Sequence, residues 1–296
     1  MLTGHALVVV GDLVTDVVVV HDGHLEVGSD TTATVRVTGG GQAANTAAWI
    51  AHSGHAVTLI ATVGDDLAGR ERVAELTTRG VRCAVRAHPG ATTGSVVVLA
   101  SADERTMITD RGAALLLDPA HVTAAVAATP NATHLHLSGY PLLDASSRAG
   151  GLAALVAAGE RGLTTSVDAA SAAPLRRVGV FLDWVRGTDL LFCNADEATV
   201  LAGPGSPGDQ ARTLARVARN VVVKSGGDGA VWCGPDGVLH WSAAVRVPMI
   251  DPTGAGDAFA AGLLTAWCSG AEPTEALTCG AALGAAAVGR VGARPA

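Results

Sequence analysis

Lysine is nearly absent from this chain. Among its 20 basic side chains Lys224 is the single lysine, so a Walker phosphate loop or any other lysine-dependent chemistry has one position to use. Aromatic residues make up only 3% of the 296 residues, while hydrophobic residues reach 49%. The interior must therefore be built from Ala, Val and Leu, and such a chain is not disordered. Positive charge is short as well. With 20 Lys+Arg against 27 Asp+Glu the net charge is −7, which excludes a nucleic-acid binder that works by neutralising phosphates. The five cysteines (83, 193, 233, 268 and 279) form no C-x-x-C pair; they make neither a disulfide framework nor a zinc site and point to a reducing, cytoplasmic compartment. No stretch approaches the ~18 uncharged apolar residues of a membrane span, and no basic segment precedes the first apolar run, so no signal peptide and no membrane partner are expected.

Several motifs are missing too. There is no G-x-x-x-x-G-K-[ST], no H-E-x-x-H and no G-x-S-x-G. Residues 203–208 (GPGSPG) satisfy G-x-G-x-x-G in form, but they follow a helical stretch and contain two prolines. Without a strand–turn–helix context they read as a surface loop and not as a dinucleotide site. His134 and His136 sit two apart on a strand pattern and share a face, with no third ligand nearby; they read as structural.

What the chain does have is glycine, 37 residues of it, and a rhythm of short β-branched runs and helical stretches. Strand patterns occur at 6–10, 17–20, 31–38, 57–62, 94–100, 105–109, 134–137, 164–167, 190–192 and 221–224. Helical patterns occur at 42–53, 66–79 (closed by Gly80), 145–161 and 209–220, with two small-residue helices from 255 onward. Regular alternation after Pro119 predicts a mainly parallel sheet covered by helices on both faces. The early strands do not fit that rhythm and suggest a separate small sheet. No linker or repeat divides the chain, so residues 1–296 read as one domain.

Two segments carry chemistry. In Asp251-Pro252-Thr253-Gly254-Ala255-Gly256-Asp257, small residues leave the backbone bare where a helix begins, so outward N–H groups and the helix dipole favour an anion. Asp257 in the first turn would lie beside that anion, placed to accept a proton from an attacking hydroxyl. Such a pairing suits phosphoryl transfer to an alcohol. An ordinary helix N-terminus, with Asp257 as a dipole partner, explains the segment equally well. The second segment is Gly39-Gly40-Gly41-Gln42-Ala43-Ala44-Asn45. Its glycines would let a ligand approach the backbone, and the Asn45 amide one turn later could bind hydroxyls; taken alone, a tight turn is the simpler reading.

Taken together, the two segments resemble the two signatures of the ribokinase-like (PfkB) family of carbohydrate and nucleoside kinases. Gly11-Asp12 with Asp16, Gly64-Asp65-Asp66 with Gly69, Asn194-Ala195-Asp196-Glu197, and Lys224-Ser225-Gly226 with Gly229 extend the resemblance over the whole chain. It implies a three-layer α/β/α sandwich with a mainly parallel central sheet. A small β-sheet lid would come from about residues 14–38 and 91–110, and lids that pair between subunits would give a homodimer.

The resemblance also implies roles. Asp257 is the general base, and Gly254, Ala255 and Gly256 form the anion hole for the phosphoryl group of ATP. Asn194 and Glu197 help to hold Mg²⁺, largely through water, although the same pair satisfies a helix capping box. Lys224, Gly226 and Gly229 border the nucleotide. Asp251, with the Gly292 region, matches the loop that holds a K⁺-type ion, with Pro252 in place of a polar residue. Asp16, Gly40, Gly41 and Asn45 match positions that hold sugar hydroxyls. Arg105 or Arg111 on the lid would suit an acceptor carrying a carboxylate or phosphate, and Asp168 lies at the sheet's carboxyl end. Gln42 stands where ribokinases proper carry lysine, and Gly139 where they carry glutamate. The implied activity is therefore an ATP-dependent kinase acting on a small sugar or sugar acid. A nucleoside kinase and a catalytically silent ligand-binding homologue are the alternatives.

Overall fold

A computed structural model describes residues 5–21, 23–100 and 105–296 of the chain. Thirteen strands are defined among the described residues: β1 (Ala6–Val10), β2 (Val14–His21), β3 (Ala33–Gly40), β4 (Ala56–Gly64), β5 (Arg82–His88), β6 (Thr93–Ala100), β7 (Arg105–Gly112), β8 (Ala132–Ser138), β9 (Thr164–Asp168), β10 (Leu190–Asn194), β11 (Asn220–Lys224), β12 (Ala230–Cys233) and β13 (Leu239–Ser242). Nine of them form one sheet in the order β13-β12-β11-β10-β9-β8-β1-β4-β5. Pairing is parallel from β5 across to β11 and antiparallel only through β12 and β13.

The central strands are buried on both sides, and β1 shows why. Leu7 and Val9 point into one apolar layer with Trp49, Leu263 and Leu277. Val8 and Val10 point into the other, with Val122, Leu142 and Ala158. Helices Gln42–His52, Ala255–Cys268 and Pro273–Val288 cover the first face, and Pro119–Ala127 and Ala145–Glu160 the second. This is the expected three-layer α/β/α arrangement. Strands that are apolar on both faces need such cover.

A second sheet has the order β3-β2-β6-β7. In its register Val14, Val18, Val96 and Val98 form a small cluster on one side, the side on which Asp16 also lies. The other side carries Val17, Val19, Val35, Val37, Val97, Leu99 and Ile108.

The structure corrects several boundaries. The strand expected at 17–20 runs from Val14 to His21, and Gly39 and Gly40 end β3 instead of breaking it. β5, β12 and β13 had no expected counterpart; β5 alternates Arg and His with Ala and Val and lies at an edge. The helix expected at 209–220 is Pro207–Leu214. Its first turn absorbs the end of the 203–208 loop, where Gly208 is buried and a Cβ would lie 2.8 Å from Leu239. The turn expected at 101–104 lies outside the described residues.

Candidate active site

Five parallel strands end side by side and deliver Asp12, Ser138, Asp168, Asn194 and Lys224 to the carboxyl edge of the large sheet. Ligands of open α/β sheets bind at that edge. Two cavities meet there. One, of about 730 Å³, lies between the edge and the second sheet and is lined by Asp12, Asp16, Asn45, Arg111 and Asp257 among others. The other, of about 590 Å³, is walled by Val245, Val247, Met249, Phe259, Ala285 and Val288. Lys224, Gly226 and Gly256 line both.

The helix Ala255–Cys268 begins at this junction. Gly254 caps it in the left-handed conformation, φ 75° and ψ 2°, with no side-chain cap. The amides of Gly256 and Asp257 fall in the first turn, where no helical carbonyl precedes them. Asp257 is half-buried, and its Oδ2 accepts a hydrogen bond from Asn45 Nδ2 at 2.9 Å. Burial pushes its carboxyl up to about 7; the Asn45 bond pulls back, Asp168 adds to the rise and Lys224 opposes it. A carboxylate poised near neutrality can take a proton and release it.

Lys224 stands opposite. Its Nζ lies 2.6 Å from Asp168 Oδ2. Burial alone would depress the ammonium, but the Asp168 and Glu197 carboxylates outweigh it and raise its pKa. The same pair shows in Asp168, which burial pushes up and Lys224 brings below the usual range. Asp168 Oδ1 also accepts from Gln42 Nε2 at 3.0 Å and from the Ala170 amide at 3.0 Å. The Ser138 hydroxyl sits 2.6 Å from Gln42 Oε1 and 3.2 Å from Asp12 Oδ1, and Asp12 accepts from the amides of Gln42 and Ala43. Arg111 Nη1 is 3.6 Å from Asp12, and its guanidinium stacks 3.6 Å over the Tyr140 ring.

Asn194 and Glu197 form a complete capping box. The Asn194 amide donates to Glu197 Oε2 at 2.8 Å, Asn194 Nδ2 donates to Oε1 at 2.7 Å, and the Glu197 amide donates back to Asn194 Oδ1 at 2.9 Å. Glu197 still lines the larger cavity, and burial followed by the Asp168 charge pushes its carboxyl up to about 7. No group of three or more His, Cys, Asp or Glu side chains gathers to hold a metal among the described residues. A cation at Glu197 would therefore keep most of its water, a habit of Mg²⁺. Asp251 ties two loops together: Oδ2 accepts from the Gly292 amide at 2.9 Å, and Oδ1 accepts from the Thr253 amide at 2.8 Å.

The sequence matches the pfkB family carbohydrate kinase profile over residues 5–296. The chain belongs to that family. Over 271 residues it is 33% identical to the ATP-dependent ribose-1-phosphate kinase of Halopiger xanaduensis, covering 88% of this chain and 84% of that protein. Over 250 residues it is 31% identical to the 2-dehydro-3-deoxygluconokinase of Thermoproteus tenax, covering 80% and 75%. Among solved structures, adenosine kinase from Sinorhizobium meliloti superposes with a TM-score of 0.87 at 24% identity, covering 98% of this chain and 95% of that one. A protein named ribokinase II from Escherichia coli, in complex with ATP and Mg²⁺, superposes with 0.82 at 22%, covering 97% and 94%. These likenesses establish the ribokinase-like fold, and the family establishes the activity: this pfkB protein is an ATP-dependent carbohydrate kinase, a phosphotransferase with an alcohol group as acceptor.

Within this kinase the expected residues divide between the cavities. Asp16, Gly41, Asn45, Asn194, Glu197, Gly254 and Asp257 line the larger one; Ala255 and Gly229 line the smaller. Gly40 does not line either. A Cβ there would lie 2.0 Å from Asp16 Oδ1, so its bareness makes room for that carboxylate and not for a ligand. The side chain of Arg105 lies outside the described residues; Arg111 lines the larger cavity. Asp251 is bonded as above and lines neither cavity. Sequence reading missed Tyr140 and Arg176, which also line the cavity, and Arg294. Arg294 is 6% exposed and donates from Nε to Asn45 Oδ1 at 3.1 Å. None of the three falls in a local motif.

Proposed function

We propose that this kinase phosphorylates a hydroxyl of a small sugar that carries a carboxylate or phosphate. The observation that carries the reading is the meeting of the two cavities at Gly256 and Lys224, beside Asp257. ATP occupies the smaller cavity, its base against the apolar wall and its γ-phosphate at the bare first turn of the Ala255–Cys268 helix. The acceptor occupies the larger cavity, its hydroxyls held by Asp16, Asn45 and the Gly41 backbone. Asp257 takes the proton of the attacking hydroxyl, whose oxygen bonds to the γ-phosphorus as the bond to the bridging β–γ oxygen breaks and ADP leaves. Gly254, Ala255 and Gly256 receive the charge of the group in transit, and Lys224, held by Asp168, faces it from the other cavity wall. Mg²⁺, carried by water on Glu197 and Asn194, would neutralise phosphate charge when bound. The carboxylate and backbone of the Asp251–Gly292 contact offer oxygen ligands of the kind a K⁺-type ion takes.

Acidic acceptors are favoured by Arg111 and Arg176 in the acceptor cavity. The two curated relatives point the same way, since one is named for a sugar phosphate and the other for a sugar acid. A nucleoside is the second reading, drawn from the adenosine kinase likeness. Among the described residues, however, Tyr140 supplies the acceptor cavity's aromatic ring, and Arg111 already covers it. We further propose a homodimer through the outer face of the β3-β2-β6-β7 sheet, which would act as a lid, and a cytoplasmic location, which the five free thiols suit. No helix among the described residues is long and apolar enough to cross a membrane.

The test is ADP release with Mg²⁺ and ATP over a panel of neutral sugars, keto-deoxy sugar acids, sugar phosphates and nucleosides, with and without K⁺. An acidic sugar should give the highest kcat/KM, and Arg111→Met should lower that value about 10–100-fold while leaving neutral sugars nearly unchanged. Highest turnover with a nucleoside or a neutral sugar would overturn the acidic-acceptor reading.

A further inference from the structure

The two ends of an asparagine amide have nearly the same shape, and its partners decide which way it faces. Asn45 has two such partners. Its Nδ2 donates to Asp257 Oδ2 at 2.9 Å, and its Oδ1 accepts from Arg294 Nε at 3.1 Å. Turning the amide over would set donors against the guanidinium and an acceptor against the carboxylate. Arg294 thus decides that Asp257 meets an N–H.

The guanidinium is itself held by one hydrogen bond and one ion pair besides its bond to Asn45. Nη2 donates to the Gly40 carbonyl at 2.8 Å, and Nη1 lies 3.0 Å from Glu75 Oε1. The chain on either side of it is pinned as well: Trp49 Nε1 donates to the Ala293 carbonyl at 2.9 Å, and Arg79 donates to the Pro295 carbonyl. A Cβ at Gly39 would lie 1.9 Å from Arg294 Nη1, so the bare position in the glycine run is where this arginine passes. Both Asn45 and Arg294 are almost wholly buried, at 4% and 6% exposed.

We infer that Arg294 is a positioning residue for phosphoryl transfer, acting through Asn45 to hold the base Asp257 in its reactive state. The inference rests on Asp257 being the base. One bond from Asn45 favours the ionised carboxylate and engages Oδ2; among the described residues Oδ1 has no hydrogen-bond partner, which leaves it for the acceptor hydroxyl. Arg294 touches no reacting atom. Its part is to keep the amide from turning or drifting between turnovers, and Glu75 keeps Arg294 in place.

The experiment follows the Asp257 carboxyl directly, by ¹³C NMR titration of aspartate-labelled protein, with the resonance assigned by its loss in Asp257→Asn. This readout does not need turnover, so it separates a failure of the positioning role from a failure of the acceptor assignment. In Arg294→Gln the Asp257 midpoint should rise by about one pH unit, and with an active substrate the acid limb of kcat/KM should rise with it. Glu75→Gln should give a smaller shift in the same direction. Asn45→Ala should shift Asp257 at least as far as Arg294→Gln, and the Asn45→Ala/Arg294→Gln pair no further than Asn45→Ala alone. An unchanged midpoint in folded Arg294→Gln overturns the inference. So does an additive double variant, which would mean that the guanidinium acts by its field and not through the amide. If Arg294→Gln does not fold, Glu75→Gln decides: a raised midpoint supports the role and an unchanged one overturns it.

Discussion

At Asp257 burial and hydrogen bonding pull one carboxyl in opposite directions, and burial wins. For Asp257 as the proposed base, a midpoint near 7 makes the acid limb of kcat/KM fall below that pH, because only the ionised form accepts a proton. Asp257→Asn should lower kcat by about 10³-fold while ATP affinity stays within about threefold, as read by turnover and by calorimetry with ATP. The same residue works against stability. Its folded pKa lies above the unfolded value, so its contribution is full at acid pH and is lost as pH rises towards 7. Asp257→Asn should therefore stabilise the fold at pH 7.5 by roughly 1–3 kcal/mol, measured by urea unfolding. Asp257 was legible because the residues around it are consecutive. Arg294 was not, because its partner Asn45 lies 249 positions away and nothing near it in the chain signals a partner.

At the scale of elements, the proposed anion hole depends on one backbone conformation. Gly254 holds φ 75°, and a Cβ there would lie 2.6 Å from the Ala293 carbonyl oxygen. Gly254→Ala should cost about 2 kcal/mol or more of stability and lower kcat/KM for ATP by at least 10-fold, as thermal unfolding and initial rates would show. A milder loss would mean that the loop can relax without spoiling the helix start. The strands that sequence reading found carry β-branched runs or a clear apolar alternation, whether buried on both faces like β1 or half-exposed like β3. Those it missed are the edge strand β5 and the antiparallel pair β12 and β13, whose polar and short runs carry a weaker signal. The capping box at Asn194 and Glu197 formed as a cap and both residues still line the larger cavity, so the local reading does not compete with the proposed functional one.

For the whole molecule, His134 and His136 run through the sheet as a buried chain. His134 bridges Thr164 and Ser166 at 2.8 and 2.7 Å, and His136 reaches Ser166 at 2.8 Å. Burial holds them down at about 3 and about 4. Below pH 6.5 the unfolded chain takes up protons there that the folded chain refuses, so acidification towards pH 4 draws stability away. Asp257 and Glu197, with raised midpoints, act in the opposite sense over pH 7 to 5. Replacing both histidines by Asn should therefore make the change in stability from pH 7 to pH 5 more favourable by roughly 2–4 kcal/mol relative to the unaltered protein, read from urea unfolding at the two pH values. The outer face of the second sheet bears on assembly: Val35, Val37 and Ile108 are 58%, 64% and 59% exposed there, and a contiguous exposed apolar patch is a common mark of an interaction surface. Val35→Lys with Val37→Lys should convert the proposed dimer to a monomer by light scattering; a monomer before substitution would refute it.

Composition and motif order, with no coordinates, determined the layered fold and the family and singled out Asp257 as the proposed base, since each is written in neighbouring residues or in a repeating pattern of burial. Tertiary structure alone brought Arg111 and Arg176 into the larger cavity and decided why Gly39 and Gly40 carry no side chain and what Asn45 bonds to. Those facts arise where segments far apart in the chain are packed within hydrogen-bonding distance, and no local pattern of side chains encodes that meeting.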